Sequence, residues 1–219
     1  EAAGLKKPDI SILSDEFLME VRNMPHKNLA VELLKKLLND EIKSITRKNI
    51  VTGRSFADML EKAIKGYHNK TIEAAKIIEE LIELGKKLRE ENKRGANLGL
   101  NEEEIAFYDA LETNDSAVKV LGDEKLKIIA RELVKTIRRN TNIDWTVREN
   151  IQAKMRVEVK KVLRKYGYPP DKQKKATETV LEQAKVIAKD WSENIYPITE
   201  DATEIRKVAE KDNITEFKL

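Results

Sequence analysis

The chain has 219 residues, of which 37% are charged and 5% are aromatic, and it contains no cysteine. The absence of cysteine excludes a disulfide scaffold, a thiolate zinc site and a cysteine nucleophile. Eight glycines and five prolines are too few for the many turns of an all-β sandwich or barrel. Abundant Leu, Ile, Ala, Lys and Glu instead favour long amphipathic helices.

The formal net charge of +3 hides an uneven distribution along the chain. Residues 1–124 hold 20 Lys and Arg against 24 Asp and Glu, and residues 176–219 hold 6 against 10, so each of these two stretches has a net charge of −4. Residues 125–175 hold 16 against 5, a net charge of +11. This basic stretch predicts a partner that is either a polyanion or an acidic protein surface.

No apolar run approaches the roughly 20 residues that a membrane span needs, so we expect no membrane partner. No signal peptide leads the chain, which predicts a cytoplasmic protein. The first residue is Glu1 rather than Met, so we expect a piece of a longer protein.

The first predicted helix covers residues 15–23, with Ser14 as its N-cap and Pro25 just beyond its end. A long helix over residues 28–48 follows. Its apolar side chains recur at steps of three and four residues, which predicts that they face inward: Leu29, Leu33, Leu34, Leu37, Leu38, Ile42 and Ile45.

Two interruptions are predicted in the next part of the chain. Thr52 and Gly53 are expected to separate the second helix from a third, which Ser55 would cap. A fourth, long helix is expected to fray after Arg89. This fraying makes residues 92–100 the candidate boundary inside the domain.

In the second half of the chain, the sequence predicts one short capped helix followed by three longer helices. Asn101 is the expected N-cap of a helix whose first turn holds three glutamates, which complement the helix dipole. Residues 115–122 are expected to form a loop that holds at most one turn. From Asp123 a helix follows, whose inward seam is Leu126, Ile129, Ala130, Leu133, Val134 and Ile137.

Two long helices are expected at the end, over residues 145–166 and 171–195, separated by Gly-Tyr-Pro-Pro. The last helix has an apolar stripe of Ala176, Val180, Gln183, Ala184, Ile187 and Trp191. Residues 196–219 are expected to be a weakly structured tail. The predicted fold is therefore all-α, a multi-helix bundle of about seven to nine helices without a significant sheet, with residues 1–195 as the domain.

The motifs of common enzymes are missing. Neither a phosphate-binding Gly-x-x-x-x-Gly-Lys-Ser/Thr loop nor a Gly-x-Gly-x-x-Gly pattern occurs. The two histidines, His26 and His68, lie far apart in the sequence. Consecutive glutamates at 102–104 point about 100° apart on a helix and cannot bind one ion together. These observations predict no catalytic, cofactor-binding or metal-binding residue in this chain.

Fragments of a metal-dependent nuclease pattern do occur, namely Pro8-Asp9, Pro170-Asp171, Glu41-Ile42-Lys43 and Glu216-Phe217-Lys218. That chemistry needs an acid pair and a lysine that converge on one metal ion. These pieces lie on predicted helices or tails, so ordinary surface charge is the favoured interpretation. Trp145 and Trp191 could stack on bases, but anchoring a pair of helices is favoured for them as well.

The helix over residues 145–166 separates apolar from basic side chains. Its apolar side holds Val147, Ile151, Met155, Val159, Val162, Leu163 and Tyr166. The other side holds Lys154, Arg156, Lys160, Lys161, Arg164 and Lys165, with Glu149 and Glu158 as the only acids. Like charges four residues apart repel each other, which favours a compensating anionic partner, protein or DNA. A face that is only solvated remains the alternative.

Several sequence blocks together resemble the C-terminal helical region of the R subunit of type I restriction enzymes. The resemblance extends over nearly all of residues 1–195, because many short blocks match in order and spacing. They are PDISILSDEFL (8–18), MPHKNLAVELLKKLL (24–38), IEELIELGKKLR (78–89), LGLNEEEIAFYDAL (98–111) and DWTVRENIQAKMRVEVKKVLRKYGYPPDK (144–172).

The resemblance implies a non-catalytic assembly domain. R subunits carry a nuclease domain and an ATP-driven DNA translocase before this region, so ATP and Mg are expected only in those missing domains. They assemble with methylation and specificity subunits, which the resemblance implies as the partners of this chain. The alternative is a surface that binds the DNA backbone and assists translocation of the duplex.

Overall fold

The computed structural model describes residues 13–69, 73–113, 115–140 and 149–195, with backbone only for residues 115–116 and 189–195. All regular structure in these ranges is helical, which confirms the all-α prediction and the predicted number of helices. The helices are α1 (Asp15–Asn23), α2 (Lys27–Thr46), α3 (Ile50–His68), α4 (Ala74–Leu98), α5 (Glu102–Glu112), α6 (Asp115–Asn140), α7 (Glu149–Lys165) and α8 (Gln173–Ile195). The predicted tail 196–219, Trp145 and the side chain of Trp191 lie outside this description.

Helices α1–α4 enclose the first of two clusters of buried apolar side chains. Ser14 caps α1 as predicted, since its Oγ accepts a hydrogen bond of 3.2 Å from Phe17 N. Most of the predicted inward stripe of α2 is buried or half-buried, but Leu29 is 58% exposed. The prediction for Leu29 was wrong because Leu29 lies five positions before buried Leu34, which turns it about 140° away from the stripe.

The predicted interruption at Thr52 and Gly53 was also wrong, because α3 already begins at Ile50. Asn49 caps this helix by accepting a hydrogen bond of 3.1 Å from Thr52 N, and Ser55 lies inside it. Gly53 allows α3 and α2 to approach each other closely, because it has no side chain. A Cβ at this position would lie 2.7 Å from Thr46 Cα, so the two backbones could not pack this tightly around a larger residue.

The predicted fraying after Arg89 does not occur, since α4 continues to Leu98. Leu88 is fully buried, and Arg94 is held by acids of its own helix and of α5, so the last turns have partners. Residues 115–121 are helical rather than a loop, because Ala117 packs into the second cluster. Gly122, at φ 73°, kinks α6 where the loop was predicted to end.

Helices α5–α8 enclose the second cluster, together with Leu100. Every residue of the predicted seam from Leu126 to Ile137 is buried. Helix α7 packs mainly against α6 and α8, and it contributes Met155, Val159, Val162 and Leu163 to the buried cluster. The boundary predicted near residues 92–100 stays a prediction. Along the chain, Leu88 is the last buried residue of the first cluster and Leu100 is the first buried residue of the second.

Replacing Leu133 or Met155 with alanine is expected to lower the free energy of unfolding by about 2–5 kcal/mol, because each leaves a cavity among fully packed neighbours. Leu133 is 0% and Met155 is 1% exposed. Val157→Ala on the outside of α7 is the control and should change the stability by less than about 0.5 kcal/mol. Chemical denaturation measures all three, and native-like midpoints for Leu133→Ala and Met155→Ala would contradict the assigned inward faces.

Candidate interaction surface

The solvent side of α7 carries the basic residues that the sequence singled out. Met155, Val159 and Leu163 turn inward, so the opposite side of the helix faces away from α6 and α8. Five of the six basic side chains are exposed and Lys160 is half-buried: Lys154, Arg156, Lys160, Lys161, Arg164 and Lys165. We call these six residues, with Ala153 and Val157, the outer face of α7.

Most of the positive charge on the outer face is not neutralised within the described part of the chain. Lys161 pairs with Glu158 at 2.7 Å, and Lys165 Nζ lies 5.1 Å from the centre of the Tyr166 ring. Among the described residues, no acid pairs with the remaining four: Lys154, Arg156, Lys160 and Arg164. Arg156, Lys160 and Arg164 follow one another at four-residue steps, so they form one row along the helix.

An apolar spot lies in the middle of this basic face. Val157 is 50% exposed, and Ala153, four residues before it, is exposed as well. At 100° per residue, Val157 lies only 20° around the helix from Arg164, seven residues later. The sequence interpretation missed Val157, because it belongs neither to the inward apolar set nor to the basic set.

A second polar feature, also missed, joins the two halves of the bundle at the beginning of α3. Asp109 on α5 is only 4% exposed. Its Oδ2 accepts hydrogen bonds of 2.6 Å from Asn49 Nδ2 and of 2.9 Å from Thr52 Oγ1. Since Asn49 also caps α3, this bridge fixes the start of that helix against α5.

Arg94 on α4 completes this cluster. Its Nη2 lies 2.8 Å from Asp109 Oδ1, an ion pair without the alignment of a hydrogen bond, and donates to Glu112 Oε2 at 2.6 Å. Its Nη1 donates to Glu91 at 2.7 Å, and its guanidinium carbon lies 5.8 Å from the centre of the Tyr108 ring. One guanidinium therefore holds three carboxylates from two helices beside an open cleft of about 360 Å³.

Burial governs ionisation in this cluster. Burial raises the pKa of Asp109 above its ordinary 3.8, while the charge of Arg94 and the donors on Asn49 and Thr52 oppose the change. Burial also raises the pKa of Glu112, and it raises that of Tyr108 to about 12. The carboxylates are thus costly to ionise, and their partners keep them in place.

Gln183 on α8 makes a third connection at the same place. It is 0% exposed, its Oε1 accepts from Ile50 N at 2.9 Å, and its Nε2 donates to Lys48 O at 2.7 Å. Gln183 therefore satisfies two backbone groups around the cap of α3. Two exposed ion pairs flank it, Lys48–Glu102 at 3.0 Å and Arg54–Glu182 at 2.8 Å.

The three consecutive glutamates serve as helix-terminal residues with separate partners. Glu102 pairs with Lys48, Glu103 pairs with Arg138 at 2.7 Å, and Glu104 completes the capping box with Asn101. In the described ranges no group of three or more potential ligands could hold a metal ion. Nor is any helix in those ranges long and apolar enough to cross a membrane.

The nuclease-like pieces do not converge where they are described. Glu41 Oε1 accepts from Asn92 at 3.3 Å, and Lys43 lies 3.8 Å from Asp40 on its own helix. Asp171 is exposed in the turn before α8. Pro8-Asp9 and Glu216-Phe217-Lys218 lie outside the described residues.

Comparisons with known proteins point to one family. Residues 1–190 match the family described as type I restriction enzyme HindI endonuclease subunit-like, C-terminal. The chain is 41% identical over 184 residues to the type I restriction enzyme HindI endonuclease subunit of Haemophilus influenzae, which covers 84% of this chain and 17% of that protein.

A second relative comes from Methanocaldococcus jannaschii and is provisionally named type I restriction enzyme MjaIXP endonuclease subunit. It is 36% identical over 163 residues, which covers 74% of this chain and 16% of the relative. The chain thus matches about one sixth of the length of both proteins. No solved structure matches it.

Asp109→Asn is expected to change how stability depends on pH. Burial raises the pKa of Asp109 in the folded state above 3.8, so the unfolded carboxyl loses its proton at a lower pH than the folded one. The folded state therefore binds more protons in this pH range. Its stability falls as the pH rises through the folded pKa. The free energy of unfolding of the native protein, minus that of Asp109→Asn, should therefore decrease as the pH rises above about 4. Each unit by which the folded pKa exceeds the unfolded one contributes about 1.4 kcal/mol.

Denaturant titrations at several pH values measure this difference. Asp171→Asn controls for the loss of one negative charge, because Asp171 is exposed in a turn. A difference that stays flat or increases with pH would contradict the assigned cost of ionising Asp109.

Proposed function

Because the chain belongs to the family of C-terminal regions of HindI-like type I restriction enzyme endonuclease subunits, we propose that it is a non-catalytic assembly domain. It docks the motor and nuclease subunit of the restriction enzyme onto the complex of methylation and specificity subunits. The resemblance found in the sequence and the family match agree on the region of the subunit. The docking role is the step that goes beyond them.

The observation that carries this proposal is the outer face of α7. Its row of Arg156, Lys160 and Arg164 has no acidic partner among the described residues, and it lies in the stretch 125–175, whose net charge is +11. A cluster of one sign at the surface attracts a partner of the opposite sign and steers association with it. An acidic groove on a methylation subunit would supply that partner.

The proposal assigns no chemistry to this chain. ATP and Mg are expected to bind in the motor and nuclease parts of the subunit and not in this chain. The polar cluster around Arg94 and Asp109 has a structural task, since each of its charges already has a partner within α4 or between α4 and α5.

A surface that binds the DNA backbone is the second candidate function. The same row of cations favours it, because Lys and Arg side chains neutralise phosphates regardless of sequence. The two functions predict different effects of neutralising this row. Docking predicts weaker binding to the methylation–specificity complex, whereas DNA binding predicts weaker binding to the duplex.

The triple variant Arg156→Gln/Lys160→Gln/Arg164→Gln is expected to bind the purified methylation–specificity complex roughly 10-fold or more weakly than the native chain, because charge complementarity across the interface is lost. Fluorescence anisotropy of the labelled 219-residue chain measures this affinity. The matched control is Lys36→Gln/Arg47→Gln/Lys62→Gln, which removes the same three charges from exposed positions on α2, at its C-cap and on α3 and should bind like the native chain.

Binding to duplexes of two unrelated sequences separates the two functions. If the row contacts DNA, the triple variant should lose affinity for both duplexes, and the slope of log affinity against log salt should flatten by up to about three. Unchanged affinity for both partners, in a variant that melts like the native chain, would contradict the docking and the DNA proposals together.

A further inference from the structure

We propose that the outer face of α7 contacts a protein through an apolar patch centred on Val157, and that carboxylates of this protein surround the contact. The inference rests on the proposed docking function and specifies the chemistry of the partner surface: an apolar side chain flanked by Asp or Glu residues. It assigns a specificity-determining role to a residue that is neither basic nor part of the hydrophobic interior.

The position of Val157 supports this inference first. Val157 is half exposed and has exposed Ala153 one turn before it on the same side of the helix. Basic side chains lie around both residues, with Arg156 and Lys160 on one side and Lys154 and Lys161 on the other. An apolar centre within a charged rim is the arrangement of a protein–protein interface.

The alternative occupants fit this face less well. Duplex DNA offers phosphates and sugars along its backbone, which would bind the basic rim but would gain little from an apolar side chain at its centre. A second copy of this chain, docked through the same face, would bring two sets of unpaired cations together. A partner with carboxylates around an apolar side chain satisfies both the rim and the centre.

Among the described residues, the helices that pack on α7 contact the side opposite this face. Helix α7 makes its main contacts with α6 and α8 through its inward side chains, Met155, Val159 and Leu163 among them. A substitution at Val157 therefore changes the surface without opening a cavity in the buried cluster.

Val157→Lys distinguishes a protein partner from DNA because the two predict opposite effects. It removes the apolar centre and adds a cation, so the affinity of the 219-residue chain for the purified methylation–specificity complex should fall about 10-fold or more. Affinity for a duplex should stay the same or increase, since one more cation is present. Val157→Thr, which keeps the branched shape and introduces a hydroxyl, should weaken binding to the complex by about 3-fold.

Leu29→Lys is the matched control. Leu29 is an exposed apolar residue on α2, so this variant gains the same charge far along the chain from α7 and should bind the complex like the native chain. Melting curves of all variants should match that of the native chain.

Native-like or tighter binding of Val157→Lys to the complex would overturn the inference while leaving the docking function intact. Complete lack of binding by the native chain would instead overturn the docking function and the inference with it. Tight binding of the native chain to duplex DNA, increased by Val157→Lys, with no measurable affinity for the complex, would assign the face to DNA.

Discussion

The buried carboxylate of Asp109 is the constraint on which the arrangement of the two halves depends. It accepts hydrogen bonds from Asn49 and Thr52 at the beginning of α3 and faces the guanidinium of Arg94 from α4. Gln183 reaches the same turn from α8 and satisfies the backbone on both sides of Asn49. Through these contacts the start of α3, the end of α4, α5 and α8 are held together. Because α7 packs on α6 and α8, its outer face is presented from a fixed support.

A buried network of this kind is a means of selecting one arrangement rather than a large source of stability. Burying the carboxylate of Asp109 and the polar groups of Asn49 and Thr52 costs free energy. Their mutual hydrogen bonds and the charge of Arg94 offset this cost only while all four residues are in position. Apolar side chains at the same places could pack in several registers. We infer that the network fixes how the two clusters of apolar side chains meet, and that the clusters supply most of the driving force for folding.

The sequence was sufficient to predict elements whose evidence is local. Apolar spacing predicted the seam of α6, the inward side of α7 and most of α2, and Ser14 and Asn101 were recognisable as caps. It failed where a distant partner decides the local structure. Gly53 looked like a helix breaker, but Thr46 packs against it. Residues 90–98 looked like a frayed end, but Arg94 pairs with an acid on α5.

Asp109 within an apolar run was the signal that a buried polar contact existed, and its partners could not be inferred without the fold. The basic residues of α7 were predictable because charge asymmetry is visible in the sequence, whereas the contact that they make is not.

Lysine footprinting tests most directly whether the outer face of α7 is the docking surface. The 219-residue chain is labelled with an amine-reactive reagent, alone and with the purified methylation–specificity complex, and each lysine is quantified by mass spectrometry. The account predicts reduced labelling of Lys154, Lys160, Lys161 and Lys165 in the complex, while exposed Lys36 and Lys62 on α2 and α3 label as before. Unchanged labelling of the α7 lysines in a complex that has formed would contradict it.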